Sequence, residues 1–338
     1  MSELRQDATT MEWVIIAHER AKRPHALSSE KEKVHLSSRD DSCPFCPGNE
    51  DRTPPEVMRL PIKSQNPDSQ WDVRVVPNAY AALSLNGHRI TRKKEGDLFR
   101  KMDGVGIHEV IIESPLHNDV ISLMEVPQVQ MILYAYRARY NEINSHPLVQ
   151  HTLIFKNHGK GAGTSLVHPH TQITGTPIAP PYIRRKSQMA TYYYDNSGKC
   201  LYCSILRSEL RAKKRIVIDS DHFVVFHPFA SYSAYETWIL PKHHQSSFGM
   251  ITDHQLNELA IVLRDTLRGL YEVLDNPAFN YMISSSPRED WQNSYYDWHL
   301  RIVPRISFIA GFEMGSGMYI NTARPEDTAE VMRNHFNH

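Results

Sequence analysis

Two copies of one pattern run along this chain, and they constrain its fold more than any single motif. In the first copy Glu109 opens the apolar run EVIIESPLH, which ends at His117. In the second, Glu236 opens ETWILPKHH, which ends at His244. A proline closely precedes each histidine (Pro115, Pro241). Each run is followed by an amphipathic helical stretch, over 126–143 and 252–274, whose apolar residues recur every three or four positions. Short strand candidates come next, at 152–159 and 280–287, and each copy closes on an alternating segment, HPHTQI at 168–173 and DWHLRI at 297–302. His117 and His168 are 51 residues apart, and His244 and Asp297 are 53 apart. Matched order with near-matched spacing points to a duplication. Strands joined mostly by short polar turns, with a helix over them, give an α+β fold with antiparallel sheets. The halves divide at 1–180 and 181–338, the Pro-rich and polar stretch at 175–198 reads as their connector, and 26–42 reads as a loop.

All four cysteines fall in two C-x-x-C pairs, Cys43/Cys46 and Cys200/Cys203, one in each half. The first residues, MSELRQDATTMEW, have no apolar core of the kind a secretory signal needs, so the expected compartment is the reducing cytoplasm. C-x-x-C aims two thiolates at one tetrahedral Zn²⁺, and it also serves redox dithiols. A metal would need two further ligands in each half, and the 19 histidines are where to look. Lys+Arg and Asp+Glu balance at 38 each, which leaves no electrostatic footprint for nucleic acid or an anionic membrane. No apolar run approaches the ~20 residues of a spanning helix.

In VHPHTQI, His168, His170 and Gln172 alternate along one face of an extended segment. If His168 joins Cys43, Cys46 and His117, all four positions of a tetrahedral site are filled by protein, and the site is structural. His170 then stands beside the metal, free for chemistry as base, ligand or nucleophile. Just upstream lies NHGKGAGTS, residues 157–165, with three glycines in five positions. Such a run lets backbone N–H groups approach an anion, and Lys160 and Ser165 add a cation and a hydroxyl. A phosphate loop before an exposed histidine suggests attack by His170 on phosphorus, with the Gln172 amide donating to a phosphoryl oxygen.

HPHTQ after a G-x-G-x-S loop, with CPFCPGNE upstream, resembles galactose-1-phosphate uridylyltransferase and its relatives in the histidine-triad superfamily. The resemblance runs from about Trp13 to Arg333. It implies two tandem histidine-triad-like halves, a homodimer, and ping-pong transfer of a nucleoside monophosphate through nucleotidyl-His170. It implies nucleotide phosphates at Arg20 and Arg23, ribose and base at Asn78, Ala79 and Tyr80, and the α-phosphate near Asn157, Gly163, Thr164, Ser165 and Gln172. ESPLH supplies His117 as the third zinc ligand. In the second half Cys200, Cys203 and His244 give three ligands; the repeat register places Asp297 as the fourth, with His299 the other candidate and iron possible there. Phe312 and Glu313 match the family's hexose-gripping stretch, but GSGMYIN follows and Ser307 stands where better-known members carry Lys. That form also resembles plant-type ADP-glucose phosphorylases, whose acceptor is inorganic phosphate. The expected reaction is uridylyl transfer between UDP-glucose and galactose 1-phosphate. The alternatives are ADP-glucose phosphorolysis and a nucleotide-sugar hydrolase or binding protein on the same fold.

Overall fold

The computed structural model describes residues 2–22, 37–61, 70–85, 90–307 and 309–336. In chain order the strands are β1 (Glu3–Gln6), β2 (Trp13–Ile16), β3 (Met58–Leu60), β4 (Val73–Pro77), β5 (Arg92–Glu95), β6 (Phe99–Met102), β7 (Ile107–Ile112), β8 (His151–His158), β9 (His170–Thr176), β10 (Ile216–Asp219), β11 (Phe223–Phe226), β12 (Thr237–Pro241), β13 (Phe279–Ser284), β14 (His299–Pro304) and β15 (Tyr319–Asn321). The helices are α1 (Val126–Ser145), α2 (Pro181–Ser197), α3 (Leu201–Ala212), α4 (Asp253–Leu274), α5 (Gly311–Ser316) and α6 (Pro325–Phe336). No helix among the described residues is long and apolar enough to cross a membrane.

The duplication is visible in the main sheet. Its ten strands run in the order β10-β11-β12-β14-β13-β8-β9-β7-β4-β3. Read outward from the centre, each half repeats the other: β8, β9, β7, β4, β3 on one side and β13, β14, β12, β11, β10 on the other. The two half-sheets are fused, because β13 pairs antiparallel with β8 and sets Asn280 opposite Asn157. The inner strands are buried on both faces, which is why VVP, FVVF and TWILP read as near-continuous apolar runs.

α1 and α4 pack together against one face of the sheet. α1 opens with a proline in its first turn, where a missing N–H costs nothing. α4 starts with a capping box, Thr252 with Gln255, and buries Leu256, Leu259, Ala260, Leu263, Leu267 and Leu270 at helical spacing. The opposite face carries smaller apolar clusters around Trp71 in the first half and around Tyr202 and Trp238 in the second.

One segment differs from the sequence reading. The stretch expected as a connector holds α2, which begins at Pro181 after an extended Pro180 and ends at Gly198 with φ +65°. Its buried residues Ile183, Lys186, Ser187 and Ala190 keep helical spacing, but two of them are polar, which hid the apolar stripe. The Trp13–Ile16 strand lies outside the main sheet; it pairs with β1 and, in parallel, with β15, so GSGMYIN runs from α5 through Gly317 into that small sheet. Of the expected loop at 26–42, residues 26–36 lie outside the described residues, and 37–42 form bends and turns.

Candidate active site and metal centres

The first C-x-x-C pair sits in a turn, closed by a Cys46 N–H bond to the Cys43 carbonyl of 3.3 Å. His117 lies five residues beyond the end of β7, and His168 just ahead of β9. The four side chains converge, with one ligand atom from each lying within 4.8 Å of the others, and all four are buried. Cys46 Sγ is 3.6 Å from Nδ1 of both His117 and His168, and Cys43 Sγ is 3.7 Å from His168 Nδ1. His168 Nε2 lies 2.8 Å from the Ser114 carbonyl, so that nitrogen carries the proton and Nδ1 presents its lone pair to the cluster. Burial pushes the Cys43 thiol up to about 11 and His168 down to about 4. A divalent cation reverses that cost for the thiols, because thiolate is the ligand. The donor set therefore fits a tetrahedral metal.

In the second half the pair opens a helix: Cys200 caps α3, its sulfur accepting the Cys203 N–H at 3.4 Å. Cys200, Cys203, His244 and Asp297 form the matching cluster. Asp297 Oδ2 is 3.1 Å from Cys203 Sγ and 3.4 Å from Cys200 Sγ, while its Oδ1 is 2.8 Å from His244 Nδ1. His244 Nε2 lies 2.8 Å from the Asn293 carbonyl, which again leaves Nδ1 facing inward. Hydrogen bonding to Asp297 raises His244 to about 10. His299 is not part of this group. Its ring is stacked on Trp238 and Tyr202, with centroids 4.6 and 5.1 Å away, and its Nε2 is 2.9 Å from Lys186 Nζ. A third group, His222, His254 and Glu258, lies within the same 4.8 Å spacing. Its carboxylate is occupied by Ser220 Oγ, the His222 N–H and the His222 ring, which ties the β10–β11 turn to α4.

His170 opens β9 and is 7% exposed. Its Nδ1 is 2.9 Å from the His168 carbonyl, so Nδ1 holds the proton and Nε2 keeps its lone pair. Burial and the nearby Lys156 ammonium lower its pKa, which keeps the ring neutral at pH 7. Lys156 and Glu113 form a fully buried ion pair behind the strand, and Lys156 Nζ donates to the His170 carbonyl at 3.0 Å. Burial pushes Glu113 up, but Lys156 and the hydroxyls of Thr171 and Tyr136 outweigh it, and the net shift is downward. The sequence reading missed this pair. Its signal was there: a lysine and a glutamate inside apolar strand runs, LIFKN and VIIES.

Gln172 and Asn157 lie on the same sheet face as His170, since Phe155 pairs with Gln172 across β8 and β9 and side chains alternate. Gly159 and Gly163, at φ +78° and +86°, let the loop 160–163 turn back beside the strand. Ser165 and Lys160 are exposed on that loop, while the Thr164 hydroxyl donates to the Leu166 carbonyl at 2.8 Å. Asn78, Ala79 and Tyr80 follow β4. Asn78 Nδ2 reaches Gln172 Oε1 at 3.4 Å, and Tyr80 is 94% exposed. Arg20 is exposed in a short helix at His18–Lys22, and Arg23 lies outside the described residues. Glu313 lines a cavity of about 340 Å³ with Ser307, Arg301, Tyr319 and Asn280, and Asn280 donates to the Ala162 carbonyl of the 160–163 loop at 2.9 Å. Phe312, the residue before Glu313, is exposed.

Residues 1–180 match the family model for the galactose-1-phosphate uridyl transferase N-terminal domain, and residues 185–336 match that for its C-terminal domain. The chain belongs to the galactose-1-phosphate uridyl transferase family. It is 38% identical over 333 residues to ADP-glucose phosphorylase of Arabidopsis thaliana, covering 98% of this chain and 92% of that protein. It is 28% identical over 342 residues to galactose-1-phosphate uridylyltransferase of Thermotoga maritima, covering 98% of each. Among solved structures, the Arabidopsis ADP-glucose phosphorylase with bound ADP-glucose superposes with a TM-score of 0.83 at 36% identity, covering 98% of both chains. A uridylyltransferase structure superposes at 0.74 with 26% identity, covering 100% of this chain and 99% of that one. Family members are nucleotidyltransferases and phosphorylases of nucleotide sugars, and the α+β architecture agrees with theirs.

Proposed function

We propose that this member of the family moves a nucleoside monophosphate from a nucleotide sugar to a phosphate acceptor through a covalent intermediate on His170. The observation that carries this reading is the tautomer of His170: its Nδ1–H is held by the His168 carbonyl, and its Nε2 lone pair stands on the face shared with Asn157 and Gln172. Nε2 forms the N–P bond as the P–O bond to the sugar phosphate breaks, and the leaving phosphate oxygen takes the electron pair. No general acid is needed for such a leaving group. The ring becomes cationic, and the Nδ1–H bond to the carbonyl strengthens. In the second displacement an acceptor phosphate oxygen attacks phosphorus, and the N–P pair returns to Nε2. One difficult transfer is thus divided into two easier ones.

Cys43, Cys46, His117 and His168 would hold Zn²⁺ as a closed, structural site that fixes the backbone presenting His170. Cys200, Cys203, His244 and Asp297 would hold a second ion; two sulfur donors suit zinc, and the carboxylate admits iron. Reduced thiols in both clusters fit a cytoplasmic setting, and the family resemblance supports a homodimer.

The donor and acceptor form one of two pairs. Identity of 38% to the ADP-glucose phosphorylase against 28% to the Thermotoga uridylyltransferase weighs toward ADP-glucose with inorganic phosphate, giving ADP and glucose 1-phosphate. Uridylyl exchange between UDP-glucose and galactose 1-phosphate is the alternative. Phosphorus NMR of a matrix of UDP-glucose, UDP-galactose and ADP-glucose against phosphate and galactose 1-phosphate decides between them. Turnover is expected for at least one pair. Hydrolysis without transfer for every pair would leave only the hydrolase reading.

A further inference from the structure

The two amides beside His170 can each face an incoming phosphate with a carbonyl oxygen or with an NH2 group, and only the second helps a transfer in which negative charge develops. Two backbone groups decide the matter through two intermediaries. The Ala82 N–H points at His108 Nδ1 at 3.2 Å, which makes that nitrogen an acceptor and puts the proton on Nε2. His108 Nε2 is 2.8 Å from Gln172, so the atom it meets must be the carbonyl oxygen. Asn78, whose Oδ1 accepts the Tyr80 N–H at 2.9 Å, turns its NH2 group to the same place, with Nδ2 3.1 Å from His108 Nε2 and 3.4 Å from that oxygen; with the ring proton on Nε2, its N–H is directed to the oxygen. On the other strand the Ala162 carbonyl, 2.9 Å from Asn280, requires the NH2 end of that side chain. The same nitrogen is 2.7 Å from Asn157, which must therefore turn its carbonyl oxygen inward. Neither Gln172 Nε2 nor Asn157 Nδ2 has a hydrogen-bond partner among the described residues.

We infer that His108 and Asn280 are positioning residues that commit the amides of Gln172 and Asn157 to donate toward the phosphoryl group that His170 attacks. The inference rests on the reading of His170 as nucleophile. It assigns the second half a part in the first half's chemistry, because Asn280 belongs to β13 and reaches Asn157 across the seam with β8. Preset donors of this kind need no reorganisation as charge develops, which is the source of their value. Sequence gave no hint of either residue, since each partner lies far along the chain: His108 is 64 positions from Gln172, and Asn280 is 123 from Asn157.

The test is the rate of nucleotidyl-protein formation in a single turnover, followed by intact mass on protein carrying its full metal complement. Asn280→Asp replaces a donor by a carboxylate, inverts the Asn157 amide, and should slow labelling on the order of 100-fold, as losing a preset oxyanion donor does. His108→Leu frees the Gln172 amide and should cost about 10-fold, whereas His108→Gln keeps a donor near the Nε2 position and should recover most of that loss. The effects should appear in the rate and not in donor affinity. Double mutants separate positioning from general damage: Asn280→Asp should add nothing in an Asn157→Ala background, and His108→Leu nothing in Gln172→Ala. Full additivity in both cycles, or wild-type labelling rates in Asn280→Asp and His108→Leu, would overturn the inference. If wild-type protein takes no label from any nucleotide sugar, the transfer reading fails by itself. The amide inference is then decided by NMR: on adding UMP or AMP, the Gln172 and Asn157 side-chain N–H signals should shift in wild type, and the Asn157 signal should stay put in Asn280→Asp.

Discussion

His170 and His299 occupy the same place in the two halves, and the contrast between them shows what makes one a candidate nucleophile. Both follow a metal-cluster residue by two positions, and both hold Nδ1 toward the carbonyl of that residue, at 2.9 Å for His170 and 3.3 Å for His299. The backbone device that fixes the tautomer has therefore survived in both copies. What faces Nε2 has not. In the first half the glycine loop and two oriented amides share the face. In the second, Lys186 from α2 meets Nε2 at 2.9 Å, and Trp238 and Tyr202 close over the ring. The ground behind the strand differs as well. Lys156 and Thr171 stand where the second half has Ile283 and Leu300, so a buried polar network under one histidine is replaced by an apolar core under the other. A duplicated histidine becomes structural when its free nitrogen is capped.

The largest expected effect breaks this comparison directly. His170→Gly should abolish transfer while the metal content stays at two ions per chain. His299→Gln should keep the transfer rate within about twofold and lower the melting temperature, because it disturbs a buried stack. Comparable loss of turnover in both variants, with both folded, would show that the halves are not divided as described.

Metal removal sharpens the contrast between the two clusters. All four residues of the first are buried, whereas in the second Cys203 is half-buried and His244 exposed. A chelator should strip one ion quickly from the second site and the other slowly from the first, as read by a colorimetric zinc assay over time. Cys43→Ser should release one ion and lower the melting temperature by roughly 10 °C, since structural zinc contributes directly to folding. An unchanged melting curve would remove the first site.

A smaller effect appears on acidification. Burial lowers His151, in the first half, to about 4, and His227, in the second, to about 3. Both depressed values mean that the unfolded chain binds protons first as pH falls below its own value of ~6.5. The stability these neutral rings contribute is complete above ~6.5 and declines below it, by about 1.4 kcal/mol per pH unit for each ring until its folded value is reached. Replacing either residue by Gln should flatten the acid limb of a melting-temperature profile between pH 6.5 and 4.

Much of this was legible in the sequence, where the signals were local or repeated. The C-x-x-C pairs, the two helices and the closing segments gave the half-fold and named the residues that converge in each cluster. The choice between Asp297 and His299 stayed open because both point to one face of an extended segment. Asp297 sits in the cluster, while Lys186 and the aromatic stack hold His299 outside it, and neither of those contacts is local. The fusion of two half-sheets through β8 and β13 rests on a pairing more than a hundred residues apart, which no periodicity encodes. α2 was hidden by Pro180–Pro181, a pair that opens a helix as readily as it breaks one.

The proposed transfer turns on a bond to one ring nitrogen. Protein incubated with ADP-glucose or UDP-glucose without acceptor, then digested under mildly alkaline conditions, should yield one peptide heavier by a nucleoside monophosphate, with the acid-labile adduct mapped to His170. An adduct on any other residue, or none with any nucleotide sugar while transfer still proceeds, would contradict it.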